Sequence, residues 1–153
     1  MRAMPSSLRA RSSSEAEGLS VDSRAAVPPP STAELPRRVD KPWGHELIWA
    51  HTDRYVGKIL QIETGKRLSL QHHEVKDEWL YVLSGRLLLT LENDDGAVEE
   101  IELGPGASVH VPTRRRHRYA AIETCRLIEV STPELLDVVR LEDDFGREGT
   151  FNP

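Results

Sequence analysis

The sequence lacks the marks of several common classes of protein. Its 153 residues include one cysteine, Cys125, which excludes a disulfide framework and a cysteine-rich zinc site. No run of about 18 apolar residues occurs, so we expect no transmembrane helix and no membrane partner. Lys and Arg number 20 against 25 Asp and Glu, a formal net charge of −5. Because a general nucleic-acid binder is normally basic, we expect no nucleic-acid partner either.

The first 38 residues differ in composition from the rest. They are rich in Ser, Ala, Arg and Pro, contain no aromatic residue and have almost no large aliphatic side chains. Such a segment cannot bury enough apolar surface to offset the entropy lost on ordering. We therefore predict a disordered tail over residues 1–38 and a folded domain over residues 39–153. The tail has no continuous apolar segment of a secretory signal, and we expect a cytoplasmic protein.

From residue 39 onward, short apolar runs alternate with turn residues rich in Gly, Pro, Asn and Asp. The predicted strands cover residues 45–50, 55–63, 68–73, 78–83, 86–92, 98–103, 108–111, 117–122, 126–130 and 138–141. One helical turn is predicted at residues 133–137. Many closely spaced strands without intervening amphipathic helices predict an all-β antiparallel sandwich or barrel.

Side chains suited to metal binding concentrate in one part of the predicted sheet. Gln71 and His73 stand two residues apart in a strand and therefore share a face. Glu78 opens the next strand after a short loop, which can bring its carboxylate beside His73, and His117 opens a later strand. Together these groups would suit a divalent ion such as Zn, Mn, Fe(II), Co or Ni. On spacing alone, the alternative is that they are ordinary polar residues at strand ends.

Two segments resemble the motifs of the cupin superfamily. Residues 65–85 are similar to the first motif: a glycine, five residues, His-x-His, three or four residues, Glu, six residues and a glycine. Every spacing is met, with Gln71 where the first histidine is usual. Residues 106–117 are similar to the second motif, although Arg114 replaces its usual glycine and Ala121 its terminal asparagine. The resemblance implies a double-stranded β-helix, or jelly-roll barrel.

A narrower resemblance is to the cupin module of type II phosphomannose isomerases, which is usually fused to mannose-1-phosphate guanylyltransferase. The Leu-Ser-Leu-Gln-x-His form of residues 68–73 is similar to that module. The Lys-Pro-Trp-Gly segment at residues 41–44 and the charged segment at residues 139–147 agree with its opening and closing signatures. The resemblance covers residues 39–148. The first 40 residues contain no Gly-rich nucleotide-binding segment, so we expect no guanylyltransferase domain.

The resemblance implies a metal-dependent isomerase that interconverts mannose 6-phosphate and fructose 6-phosphate through a cis-enediol, in carbohydrate metabolism and polysaccharide biosynthesis. Its single divalent ion would act as a Lewis acid. Zinc is the first choice, with Mn, Co, Ni or Fe as alternatives. By the resemblance, the ligands would be Gln71, His73, Glu78 and His117.

The reaction also needs a base and a second electrophile. Lys58 is the candidate base, because alternation along its strand would turn it inward; the alternative is an outward-facing strand charge. Arg140 is the candidate electrophile, and the alternative is a surface ion pair with Glu142 or Asp143.

The substrate phosphate needs a cationic clamp. Arg114 and Arg116 lie on the loop before His117, and Arg118 follows it, so these forked donors are predicted at the barrel mouth. The alternative is a solvated turn that balances nearby acids. Lys66 and Arg147 are further candidates for phosphate binding.

We also expect a homodimer, through an apolar outer face formed by Leu87, Leu89, Leu91, Ile101 and Leu103. Two other functions stay open at this point. One is a metal-dependent cupin of different activity, such as a dioxygenase or another sugar-phosphate isomerase or epimerase. The other is a non-catalytic cupin that binds a sugar or an effector and regulates a partner.

Overall fold

The structure, a computed structural model, describes residues 35–149, so all but the last four residues of the predicted disordered tail lie outside the described residues. The described chain is all β. Its nine strands are β1 (Arg37–Lys41), β2 (Gly44–His51), β3 (Val56–Ile62), β4 (Leu70–His72), β5 (Glu78–Glu92), β6 (Val98–Leu103), β7 (Ser108–Val111), β8 (His117–Ser131) and β9 (Val139–Glu142).

All strand pairs are antiparallel, and two long strands organise them. β5 and β8 pair along most of their length, from Glu78 opposite Ser131 to Leu91 opposite His117. The second half of β8 also pairs with β3, and its first residue pairs with β4. β1 and β2 extend the sheet beyond β3, β9 lies beside β4, and β6 and β7 pair with β5. The sheet thereby curls on itself, as a jelly roll requires.

The bend in the long strands lies at Gly85, where the sequence predicted a break between two strands. Its φ of +81° is in the left-handed region, and an added Cβ would lie 2.2 Å from the carbonyl oxygen of Thr124. The ladder shifts register around this position but continues past it. Residues 78–83 and 86–92 therefore form one bent strand, as do residues 117–122 and 126–130.

Two further expectations differ from the structure. The first strand begins at Arg37, two residues before the predicted domain boundary, because it pairs with β2. The predicted helical turn at residues 133–137 is wrong: the segment is a bend followed by a turn. No helix in the described part of the chain is long and apolar enough to cross a membrane.

The core lies inside the barrel, and it contains side chains that were predicted for an outer dimer face. Leu87 and Leu89 are fully buried, while Leu91 and Leu103 pack against the core. Ile101 alone of that set is an exposed large apolar side chain, at 40%. The predicted face is therefore wrong, because strand alternation turns Leu87 and Leu89 inward. The homodimer itself stays a prediction.

Candidate metal centre

Three side chains from separate parts of the sequence meet inside the barrel. His73 directly follows β4, Glu78 begins β5, and His117 begins β8. Each offers a ligand atom that lies within 4.8 Å of the other two, and all three residues are buried. The pairing of β4 with β8 places Gln71 opposite His117. The fold thus brings together positions that are up to 46 residues apart in the chain.

Both imidazole rings are oriented by main-chain carbonyl groups. His117 Nδ1 donates to the carbonyl oxygen of Arg115 at 2.9 Å, and His73 Nδ1 donates to that of Asp137. The two Nε2 atoms are buried and have no hydrogen-bond partner. They lie 3.1 Å (His117) and 3.8 Å (His73) from Oε1 of Glu78.

This arrangement fits a divalent cation. With Nδ1 protonated, each neutral ring presents a lone pair at Nε2, and these lone pairs face a carboxylate oxygen that is also an acceptor. Acceptors that face one another in a buried site are satisfied by a shared proton or a shared metal ion, and a carbonyl on the other ring nitrogen is the usual support of a metal-bound histidine.

The charge states of the site also suit metal binding. Burial, together with the nearby Lys76 ammonium, lowers the pKa of His73 to about 4, so the ring is neutral near pH 7. Burial by itself would raise the pKa of Glu78, but the Lys76 ammonium, its main charged partner, holds it well below its ordinary value. Tyr119 donates its hydroxyl to Glu78 Oε1 at 2.8 Å. Burial, and then the charge of Glu78, raises the pKa of that phenol.

Gln71 faces the same cavity as His73 and Glu78. Its Oε1 accepts a hydrogen bond from the hydroxyl of Ser69 at 2.6 Å, which fixes the direction of the amide. One lone pair of that oxygen is left for a further partner. The role of Gln71 as a fourth ligand stays a prediction.

A row of buried charges leads away from the three ligand candidates. The Lys76 ammonium contacts Glu78 Oε2 and donates to Glu129 Oε1 at 2.7 Å. Lys58 Nζ lies 3.8 Å from the same Glu129 oxygen and 3.5 Å from Glu46 Oε2. Burial by itself would lower the pKa of Lys76, but Glu129 and Glu78 raise it above its ordinary value. Lys58 is buried and lines the cavity, so its side chain points inward, as the strand alternation predicted.

These groups line one cavity of about 450 Å³, a size typical of small-molecule sites. Its wall carries the charge row and three of the four metal-ligand candidates, Gln71, His73 and Glu78. Another part of the wall carries the cations Lys41, Arg140 and Arg147. The cavity therefore combines a candidate metal site with a positively charged wall.

The positive wall is incompletely neutralised. Arg147 is paired with Asp143 through both carboxylate oxygens. Arg140 has Nε and Nη1 buried without a hydrogen-bond partner, and burial, then the charge of Arg147, lowers its pKa. The pKa of Lys41 is lowered by burial and, despite a partly offsetting Glu46, by the nearby cations. An anionic group bound there would relieve this repulsion.

The arginines predicted to clamp a phosphate lie elsewhere. Arg114 is exposed and pairs with Glu74 at 3.3 Å, and Arg116 pairs with Glu92 at 3.0 Å. Arg118 is buried against Glu142, with an ion-pair distance of 3.3 Å. Lys66 is exposed in a turn. None of these four residues lies in the lining of the cavity, and the solvated-turn alternative describes Arg114 and Arg116 better; a phosphate-binding role for them stays a prediction.

Sequence reasoning missed several residues of the site, namely Lys41, Lys76, Glu129 and Asp137. A usable signal existed for Glu129, because it lies directly opposite Lys58 in the β3–β8 ladder and opposite charges often pair there. Lys76 stands two residues before Glu78, a spacing that puts both on one face. Lys41 is the first residue of the Lys-Pro-Trp-Gly segment, whose pattern does not indicate where its ammonium points. No local pattern marked Asp137.

An antiparallel jelly roll in which two histidines and a glutamate meet is typical of metal-binding β-barrel proteins. The sequence matches the family described as Cupin domain over residues 58–131. Mannose-1-phosphate guanylyltransferase from Escherichia coli is 31% identical over 119 residues, covering 72% of this chain and 23% of that protein. The chain belongs to the cupin superfamily. It spans about a quarter of the length of that relative.

Two further proteins match this chain over a shorter region or at lower sequence identity. Acireductone dioxygenase from Bacillus velezensis is 28% identical over 65 residues, 42% of this chain and 36% of that protein. Among solved structures, KdgF from Halomonas sp. superposes with a TM-score of 0.56 and 25% identity, covering 64% of this chain and 88% of the other. Different named activities thus occur on related barrels, so function must be argued from the site.

Proposed function

We propose that this protein is a metal-dependent isomerase of a phosphorylated sugar, interconverting mannose 6-phosphate and fructose 6-phosphate through a cis-enediol. The observation that carries the proposal is one cavity lined both by His73 and Glu78, two members of the buried cluster that also contains His117, and by an incompletely neutralised cationic wall. A sugar phosphate has a carbonyl oxygen that can face the metal-ligand cluster and a phosphate dianion that can face the cationic wall. The similarity to the guanylyltransferase of Escherichia coli supports this substrate class.

His73, Glu78, His117 and Gln71 would hold the ion, for which zinc is the first choice. The bound ion would supply Lewis-acid polarisation of the substrate carbonyl. Only one of the four ligands is anionic, so the site keeps positive charge for the oxygen that becomes negative.

The other steps belong to cavity side chains. Lys58 Nζ would carry the proton between carbon 2 and carbon 1, held in place by Glu46 and Glu129 at 3.5 and 3.8 Å. Arg140, with its Nε and Nη1 nitrogens unpartnered, would hydrogen-bond a substrate oxygen. Arg147 and Lys41 would attract the phosphate. Such a phosphorylated substrate belongs to the cytoplasm, where we place the protein.

The test is a coupled assay of mannose 6-phosphate isomerisation on protein reconstituted with zinc, manganese or cobalt. We expect His73→Ala and His117→Ala to lose both bound metal and activity, and Gln71→Ala to weaken both. His72→Ala is the matched control. His72 is the neighbouring histidine, and its ring contacts Glu74 rather than the cluster. Reconstituted protein that binds the sugar phosphate but does not exchange the carbon-2 hydrogen with solvent deuterium would contradict the proposal. That result would indicate a non-catalytic binding cupin.

A second candidate is a metal-dependent oxygenase, favoured by the similarity to acireductone dioxygenase over 65 residues. Such an enzyme requires a redox-active ion and consumes oxygen. The cationic wall argues for an anionic substrate instead. Oxygen uptake by iron-loaded protein, measured with and without a sugar phosphate, separates the two candidates.

A further inference from the structure

A buried lysine touches the carboxylate of the candidate metal centre. The Lys76 side chain is 6% exposed, and its ammonium contacts Glu78 Oε2 and donates to Glu129 Oε1 at 2.7 Å. An ammonium group at this depth requires partners, because burying an unpaired charge costs several kcal/mol. Glu78 and Glu129 are those partners. The pairs therefore fix the position of the lysine head group between two carboxylates.

The two oxygens of Glu78 have different surroundings. Oε1 faces the imidazoles, at 3.1 Å from His117 Nε2 and 3.8 Å from His73 Nε2. It also accepts the hydroxyl of Tyr119. Oε2 contacts Lys76 instead. A carboxylate with both oxygens free binds a cation through one or both of them, whereas this one has a single oxygen directed at the cluster.

We propose that Lys76, anchored by Glu129, is a positioning residue that occupies Glu78 Oε2 and restricts this ligand to its Oε1 atom. The inference rests on the proposed function, since it concerns the same metal centre. It adds a residue to that centre which is not itself a ligand.

The charge of Lys76 has a second consequence. Supporting groups around metal ligands are usually carboxylates or carbonyls, which raise the donor strength of the ligand. A cation does the opposite, because it draws electron density from the carboxylate and repels the incoming ion. Lys76 therefore lowers metal affinity and leaves more of the positive charge of the ion for the substrate oxygen. Glu129, placed on the far side of Lys76, holds it without contacting the cluster.

The experiment titrates Co(II) into the full chain and follows visible absorption, which reports ligand number and geometry. Lys76→Met removes the ammonium at similar length. The double variant Lys76→Met with Glu129→Gln replaces a buried ion pair by neutral groups, an exchange that cores often tolerate. It keeps the protein testable if the single variant does not fold. Glu129→Gln alone keeps an oxygen acceptor for Lys76, and Lys66→Met is the control at an exposed lysine.

We expect Lys76→Met to bind Co(II) at least about tenfold more tightly, given the removal of a nearby like charge. Its absorption should become weaker, as expected when Glu78 binds through two oxygens and the ligand number rises. The double variant should show the same spectral change, while Glu129→Gln and Lys66→Met keep the wild-type spectrum. A wild-type spectrum and affinity in folded Lys76→Met or in the double variant would overturn the inference.

The design separates this inference from the proposed function. The expected spectral pattern in a protein without isomerase activity supports the role of Lys76 and overturns the isomerase. Wild-type protein that binds no Co(II) overturns the metal centre, and the inference fails with it.

Discussion

Asp137 lies at the end of the bend after β8, and it holds the loop between two of the candidate metal ligands. Its carboxylate accepts hydrogen bonds from the main-chain N–H groups of Glu74, Val75 and Lys76, at 3.1, 2.7 and 2.8 Å. Its own carbonyl oxygen accepts from His73. One residue thus supports both the imidazole and the loop that leads to Glu78.

The expected loss on substitution follows from these three bonds. A hydrogen bond to a charged acceptor contributes about 1.5–3 kcal/mol net. The loop is partly exposed, so hydrogen bonds to water will compensate for part of the lost stability. We therefore expect Asp137→Ala to reduce the free energy of unfolding by about 2–4 kcal/mol. Asp137→Asn should cost about 1–2 kcal/mol, because it keeps one acceptor oxygen but turns an amide donor toward main-chain donors.

The effect should depend on pH in a defined direction. Burial would raise the pKa of Asp137, but the three main-chain donors lower it below its ordinary value of 3.8. A carboxyl group with a lowered pKa in the folded state contributes stability above its unfolded pKa and loses it as the pH falls through the folded value. The difference in stability between wild type and Asp137→Asn should therefore be full at pH 7 and shrink below about pH 4.

Urea unfolding of metal-free protein at several pH values measures this difference. Asp53→Asn, at an exposed position, is the matched control and should stay within about 0.5 kcal/mol of wild type. If Asp137→Asn were equally neutral at pH 7, or if its cost did not change with pH, the three charged hydrogen bonds would not stabilise the loop as argued.

Other substitutions test the cavity and the bend. Lys58→Met should retain bound metal yet lower kcat by at least about 100-fold, the usual contribution of a positioned proton-transfer group; unchanged turnover would exclude Lys58. Arg140→Met should raise the KM for sugar phosphate or the Kd for inorganic phosphate about tenfold or more, as loss of a charged hydrogen bond predicts, whereas the exposed Arg114→Met should change neither. Gly85→Ala should lower the free energy of unfolding by at least about 2 kcal/mol, since its positive φ and the carbonyl of Thr124 both oppose a Cβ; thermal unfolding near wild type would refute this account of the bend.

Local patterns in the sequence were enough to predict most strands and the spacing of the candidate ligands. Alternation places Gln71 and Lys58 on inward faces, and turn residues bound the segments that carry His73, Glu78 and His117. These properties depend on the two-residue period of a strand and on short loops, so they are visible without the fold. The cupin motifs rest on the same spacing.

Which charges meet was decided only by the tertiary structure. Arg114 and Arg116, on the loop before His117, pair with Glu74 and Glu92, while Arg140 and Arg147 reach the cavity. Lys76 and Glu129 become partners across 53 residues. A charged side chain takes its partner from whatever the strand pairing and loop path bring within a few ångströms, and one segment of sequence does not contain that information.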